Sequence, residues 1–243
     1  MLTLGGLTGC ENLLEVDLPG VVEAGRLDDP EMASLLVNSA IADFECAYNN
    51  YTFGASAYSD ETWHSGGDQV GREWGMRVIN ADHQNFAQGR CEDKSFGQYT
   101  VIQTARVAAE DAIRRITAFP DADVPNKSLL IATSHAYAGY SYVMLGELFC
   151  EMVVDGGPLM TPDEVLRKAE EHFTSAIDVA GSVGNLEIVH MARVGRARVR
   201  LHLGDGSGAV SDAQVVPEGF VKVATRGDDH PRRYNKGYWE LHE

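Results

Sequence analysis

The stretch that most constrains this chain runs from Ser134 to Ala180. Ala138, Gly139, Tyr142, Leu145, Gly146 and Phe149 alternate small and large side chains at helical spacing. Small residues on one face let a second helix approach closely. Val165, Ala169, Phe173, Ala176, Ile177 and Ala180 then form a second stripe in steps of three and four, one apolar face of a 3.6-residue helix. Between them Asp155-Gly156-Gly157-Pro158 breaks the first helix. Thr161 with Glu164 is a capping-box signal, and Pro162 takes the first helical position, where its missing N–H costs little. The pattern predicts two amphipathic helices joined by a Gly/Pro turn.

That pair resembles a tetratricopeptide unit, in which small and large residues alternate on the first helix and an A-x3-F pattern marks the second. Leu145-Gly146 matches the first half and Ala169-x3-Phe173 the second. A generic antiparallel helical hairpin would satisfy the same positions. A partial echo follows 58 residues on: Gly139 aligns with Ala197, Leu145 with Leu203, Gly146 with Gly204 and Glu147 with Asp205. Leu186 to Leu203 therefore reads as another first-type helix, with Asn185 at its start. Ala209, Val210, Ala213 and Val216 begin another second-type helix, which Pro217 cuts short. A single hairpin cannot bury its own apolar face, so neighbours must stack. The predicted fold class is all-α: stacked helical hairpins in a tetratricopeptide-like right-handed superhelix with long loops.

The remaining helices fit this plan. Asp28-Asp29-Pro30-Glu31 is a helix start, and Leu35, Leu36, Ala40, Phe44 and Tyr48 carry that helix to about Asn49. Asn49-Asn50 is expected to loosen the backbone before a second helical piece from Tyr51 to Glu61. Residues 62–95 are the longest irregular region. A loop this long is functional or disordered, and its aromatic residues argue against disorder. Gly97 to Ala118 is a helix with Val101, Ala105, Ala108, Ala112, Ile113 and Ile116 inward. Ser128 to Met152 is the first helix of the opening pair, and Gly181 is expected to cap the second. No strand is expected.

The formal net charge of −16, from 36 acidic and 20 basic residues, argues against a nucleic-acid partner, which needs a basic face. No stretch reaches the roughly 20 apolar residues of a spanning helix. Leu7-Thr8-Gly9-Cys10 matches the bacterial lipobox, where a peptidase cuts before a cysteine that then carries lipid. An acylated Cys10 would hold the chain at a membrane without a spanning segment. Of Cys46, Cys91 and Cys150, the last is placed on an apolar helix face as an inert core thiol. Cys46 and Cys91 are the favoured disulfide pair, although spacing alone does not fix the connectivity. No close pair of cysteines suggests a metal.

Taken in order, these pieces resemble the SusD/RagB family of nutrient-uptake outer-membrane lipoproteins. Cys10 is followed by Glu11-Asn12-Leu13-Leu14-Glu15-Val16-Asp17-Leu18-Pro19, similar to the family's start. Thr104-Ala105-Arg106 lies where the family has an Ala- and Arg-rich helix. The run from Ala136 to Glu147 looks like its long helix. Arg196-Ala197-Arg198-Val199 with Leu203-Gly204-Asp205 and Ala209 resembles the helix that follows. The resemblance implies residues 1–10 as a signal remnant with its lipobox, 11–217 as the tetratricopeptide-type domain, and 218–243 as an irregular segment leading toward a second half. It also implies an outer-membrane, lipid-anchored, surface-facing protein. Such a protein binds an oligosaccharide or peptide nutrient and passes it to a SusC-like TonB-dependent transporter. No catalysis and no cofactor are implied. A tetratricopeptide-like scaffold that binds only a protein partner is the alternative.

Sugar sites pair aromatic faces with polar groups. Tyr58, Trp63, His64, Asp68, Trp74 and Arg77 lie close together in sequence and form the candidate ligand platform. The competing reading has Trp63 and Trp74 plugging the loop onto the helices. Tyr234, Tyr238 and Trp239, near His230, Arg232 and Arg233, form a second aromatic group suited to docking. Enzyme readings lack a constellation. Asp60-Glu61 with His64 has no ligand spacing. Glu170-Glu171-His172 lacks a second histidine for a zincin motif. Glu110-Asp111 reads as a solvated face. Neither Gly66-Gly67-Asp68 nor Gly156-Gly157 follows a strand as a phosphate loop would.

Overall fold

Several helical turns in this chain start at short polar side chains that take up otherwise orphaned amide groups. Asp29 accepts from the Glu31 N–H at 2.9 Å, Asn185 from the Ile188 N–H at 3.0 Å, and Asp205 from the Gly208 N–H at 2.9 Å. Thr161 and Glu164 form a reciprocal capping box with Pro162 at the first position. The computed structural model describes residues 22–64, 69–79, 84–91, 96–230 and 233–238. Among them the helices are α1 (Ala33–Tyr58), α2 (Gln69–Gly75), α3 (Gln84–Ala87), α4 (Tyr99–Ala118), α5 (Lys127–Leu148), α6 (Pro162–Ser182), α7 (Leu186–His202) and α8 (Gly206–Ala213). The fold is all-α apart from a hairpin of two two-residue strands, β1 (Met152–Val153) and β2 (Leu159–Met160).

The helices stack largely in chain order. α5 lies against α4 and α6, α6 against α7, and α7 against α8, while α1 covers α4 and α5. Connections of only three residues, 183–185 and 203–205, turn the chain back on itself. The α6 stripe from Val165 to Ala180 is buried throughout. At its centre the fully buried Phe173 ring lies between two glycines on different helices. A Cβ built on Gly139 of α5 would stand 2.7 Å from the ring, and one on Gly195 of α7 only 2.3 Å. Both helices therefore carry a hole where Phe173 is the knob.

Polar pins tie the stack together. Asp212 of α8, 1% exposed, accepts from Arg193 and Arg200 of α7 and is clasped by Arg196 of the same helix through two nitrogens, at 2.8 and 2.7 Å. Arg196 also donates to Thr174, and Arg200 to Glu170, so α6 shares the network. Arg106 of α4 is buried and reaches Asp155 in the hairpin turn at 2.6 and 3.0 Å, and Glu110 on its own helix. Burial works against the Arg106 charge, but the Asp155 and Glu110 carboxylates outweigh it and hold its pKa above the ordinary guanidinium value.

Several sequence expectations are corrected. Asn49-Asn50 does not break the first helix, and α1 continues to Tyr58. Both amides are buried because they bond outward to the rest of the chain. Asn49 donates to the Tyr234 carbonyl at 2.7 Å, and Asn50 donates to the Gly97 carbonyl at 2.8 Å while its own carbonyl accepts from Gln98. α6 runs past Gly181, and the left-handed glycine is Gly184, at φ +70°. α5 ends at Leu148, so Cys150 falls beyond the helix and is exposed rather than a core thiol. The Asp155–Pro158 turn closes the small hairpin, pairing Met152 with Met160. On α4, Ile102, Arg106 and Ala109 are buried while Ala108 and Ile113 are only half-buried, because the helix faces α1 and α5 at once. Cys46 of α1 is disulfide-bonded to Cys91, which fastens the irregular region to the stack. Closing a loop across 45 residues stabilises by about 4 kcal/mol in the chain-entropy picture.

The packing of Phe173 generates a test. Gly195→Ala gains helix propensity of about 1 kcal/mol but forces a methyl into a fully buried ring, an overpacking cost of about 1–3 kcal/mol. We expect a net loss in urea unfolding. In the double variant with Phe173→Leu the two effects should be less than additive, because the smaller side chain makes room. Strict additivity would mean that the ring and the glycine do not meet.

Candidate functional site

The six residues of the predicted loop platform do not act as one surface. Trp74 is 3% exposed and packs with Phe53, Ala57 and Phe96 under the irregular region. His64 is also buried, edge-on to Phe53 at 6.0 Å. Trp63 is 64% exposed and lies against Gly75. Tyr58 is half-exposed, but the Arg77 guanidinium sits 5.9 Å over its ring. Arg77 also donates to the Tyr58 carbonyl at 2.9 Å and pairs with Asp60. Asp68 lies outside the described residues. Residues 62–95 are thus not irregular throughout, since α2 and α3 lie within them; Trp74 on α2 plugs this region onto the long helices, and among the described platform residues Trp63 offers the free aromatic face. In the C-terminal aromatic group Tyr238 is exposed, whereas Arg232 and Trp239 lie outside the described residues.

A different aromatic cluster lines a pocket of about 220 Å³ between α1, α5, α7 and residues 220–224. On α1, Phe44, Tyr48 and Tyr51 recur at helical spacing, so their rings form a ladder. Phe44 stacks on Tyr48 at 5.8 Å and Tyr48 on Tyr51 at 6.3 Å. From α5, Tyr137 meets Phe44 edge-on at 5.1 Å, and the Tyr140 hydroxyl donates to the Met191 carbonyl at 2.8 Å. The hydroxyls of Tyr48 and Tyr137 make no hydrogen bond among the described residues. Burial, with Glu45 and Glu187 nearby, raises the Tyr137 pKa to about 12, so the hydroxyl stays protonated and can donate. Phe220 closes the far wall, edge-on to His190 at 5.6 Å.

The charged residues that line the pocket, Arg198, Lys222 and Glu45, are paired within the protein. Arg198 donates to both oxygens of Glu147 at 2.7 and 2.6 Å, and His202 and Tyr51 complete that group. Lys222 pairs with Glu187 at 2.6 Å. Glu45, 5% exposed, takes the Thr225 N–H at 2.8 Å and Arg233 at 2.9 Å. The last contact also holds the segment after α8 against α1, and so builds the fourth wall.

A third cluster corrects the reading of Glu110 as a solvated side chain. Glu110 of α4 accepts the Tyr142 hydroxyl at 2.8 Å and pairs with Arg106, and His172 of α6 stands 3.4 Å away. The other side of His172 meets His135 of α5, Nδ1 to Nδ1 at 2.9 Å. One of these nitrogens must donate and the other accept, so the pair is incompatible with two protonated rings. Burial, then the neighbouring His172, lowers the His135 pKa to about 4, with Glu110 opposing. Although burial raises the Glu110 pKa, His172, Tyr142 and Arg106 bring it below the usual carboxylate value. The second histidine absent from the Glu170-Glu171-His172 run is thus supplied by another helix. Even so, among the described residues no three His, Cys, Asp or Glu side chains are placed to hold a metal.

Sequence reasoning missed Tyr48, Tyr137, Tyr140 and Arg198 as one site. The signal was present as two aromatic faces, one on α1 and one on α5, but nothing local says that those faces meet. No helix among the described residues is long and apolar enough to cross a membrane, and Cys10 lies outside them. No protein-family model matches the chain, and no curated protein matches it in sequence.

The histidine pair predicts a pH dependence with a defined sign. Unfolded, His135 takes a proton near its ordinary 6.5; folded, only near about 4. The unfolded state therefore binds more protons between these values, and stability should fall as pH drops through that window. Glu110 adds a loss in the same direction, but below its ordinary 4.5. Thermal unfolding of His135→Gln from pH 7 to 4 should lose the upper part of the decline and keep the lower. A profile that matches the parent throughout would rule out this role for His135.

Proposed function

We propose that this chain is a nutrient-binding lipoprotein of the SusD/RagB type, anchored through Cys10 at the outer face of the outer membrane. It would capture a glycan and pass it to a SusC-like TonB-dependent transporter, with no covalent chemistry of its own. Helices that stack largely in chain order, with Phe173 of α6 packed between Gly139 of α5 and Gly195 of α7, support the reading. The observation that carries it is the pocket lined by Phe44, Tyr48, Tyr137 and Tyr140, where aromatic rings share one concavity with the Tyr48 and Tyr137 hydroxyls, which make no hydrogen bond among the described residues. Sugars present this combination in reverse, an apolar C–H face edged by hydroxyl groups. The net charge of −16 favours an uncharged ligand over an acidic one. The exposed Trp63 is a secondary contact on the loop side.

The Cys10 anchor is tested by feeding cells a clickable fatty acid. Label should appear on the full chain and vanish in Cys10→Ala, and the labelled protein should copurify with a TonB-dependent transporter. Calorimetric titration against a panel of neutral oligosaccharides should show saturable binding. If no label appears and no sugar binds, the chain is instead a scaffold for a protein partner.

A further inference from the structure

The stretch that follows α8 carries an edge that nothing in the described fold uses. Phe220, Ala224 and Arg226 are half-buried, while Val221 and Val223 are 73% and 66% exposed, the alternation of an extended strand. No residue from 220 to 226 has a positive φ. The run is pinned from inside: Phe220 packs on the core, Lys222 pairs with Glu187, and the Thr225 N–H donates to Glu45. Yet the backbone N–H and C=O groups of Val221 to Ala224 make no hydrogen bond among the described residues. A held, unpaired edge of this kind is a template for one more strand. At its end Arg226 donates to the Thr225 carbonyl at 2.9 Å and has no ion pair among the described residues. Burial lowers its pKa, with Glu45 opposing, and both Glu45 oxygens are already taken by Thr225 and Arg233. A half-buried cation without an acid calls for a carboxylate from outside the described fold.

Leu14-Glu15-Val16-Asp17-Leu18 has the matching pattern, apolar and acidic in alternation, and Pro19-Gly20 ends it. These residues lie outside the described ones. We propose that the edge from Val221 to Arg226 is the docking site for this segment of the same chain, its apolar side chains beside Val221 and Val223 and one of its carboxylates on Arg226. Opposite charges across a strand pair favour that register. The route is short. Pro30–Met32 leads straight into α1, and Asn38, about 8 Å along that helix, opens a groove of about 280 Å³ that it lines with Ile41, Ala42, Val223 and Thr225. Leu18 stands four residues before Val22, where the described chain begins, a reach of about 13 Å. A second copy would bring together two chains of net charge −16, whereas a tethered segment docks at high effective concentration. Docking there goes beyond nutrient capture: it sets the tether from Cys10 beside the mouth of the aromatic pocket, so anchor and pocket share one side of the molecule.

The test uses the full chain without lipid or ligand, so its result stands apart from the Cys10 label and the sugar panel. In a Cys10→Ala, Cys150→Ala background, Leu14→Cys, Val16→Cys and Leu18→Cys are each combined with Val223→Cys. Copper–phenanthroline oxidation is then read by peptide mapping. At least one pair should close within a single chain at about ten times the yield of the same cysteine with Val107→Cys, an exposed control on α4. Arg226→Gln should lower that yield about threefold, as for one partly exposed ion pair. Without any cysteine substitution, deletion of residues 11–18 should speed amide exchange at Val221 to Ala224 about tenfold. No pair closing above the control, or exchange that the deletion leaves unchanged, would overturn the docking. Closure only between two chains would make a second copy the occupant and overturn it equally. Closure indifferent to Arg226→Gln would remove the ion pair from the proposal.

Discussion

Everything in the stack depends on how closely two helices approach one phenylalanine on a third. Phe173 fills the space that Gly139 and Gly195 leave open on its two neighbours. Full burial of such a side chain contributes about 1.5–3 kcal/mol, but its geometric role is larger. Because neither glycine has a Cβ, α5 and α7 both close onto α6 and also come into contact with each other. That contact places Tyr140 of α5 within hydrogen-bonding reach of the Met191 carbonyl on α7. The same Tyr140 meets Phe173 edge-on at 4.9 Å, so the core knob and the pocket floor are adjoining rings.

Charged residues divide the work differently from the apolar core. The chain carries many more acidic than basic side chains, and five of its arginines lie where neighbouring elements are held in register. Three from α7 converge on Asp212, one from α4 spans to the hairpin turn, and one from α7 joins Glu147 on α5. Planar guanidinium groups suit this because they bond two carboxylate oxygens at fixed geometry. Breaking a largely buried pair of this kind costs more than the pair contributes, because the remaining charge stays desolvated. These networks therefore specify which helix faces meet.

The segment after α8 forms one wall of the pocket. It has no helical period, yet it returns across α1 through Glu45, Asn49 and Asn50. These three polar residues are buried on a helix that otherwise reads as apolar, and burial is tolerated because each has partners outside its helix. An Asn pair in mid-helix reads as a break when the partners are unknown. Here it is a docking post for two distant stretches of chain.

Local signals in the sequence determined where the helices lie. Caps at Asp29, Thr161, Asn185 and Asp205 and stripes of period 3.6 depend on neighbours within four residues, so α6, α7 and the cap of each are legible from the letters alone. The disulfide partners, Cys46 and Cys91, were also named from their placement, and the structure joins them. The pocket, the Glu110–His172–His135 contact and the true course of α1 were not legible. Each depends on which faces of separate helices meet, Tyr48 with Tyr137 or Glu110 with His172, and that is settled by side chains far apart in sequence. Helical periodicity says that a face exists. Only the close approach permitted by Gly139 and Gly195, with the ion pairs that fix register, decides what the face looks onto.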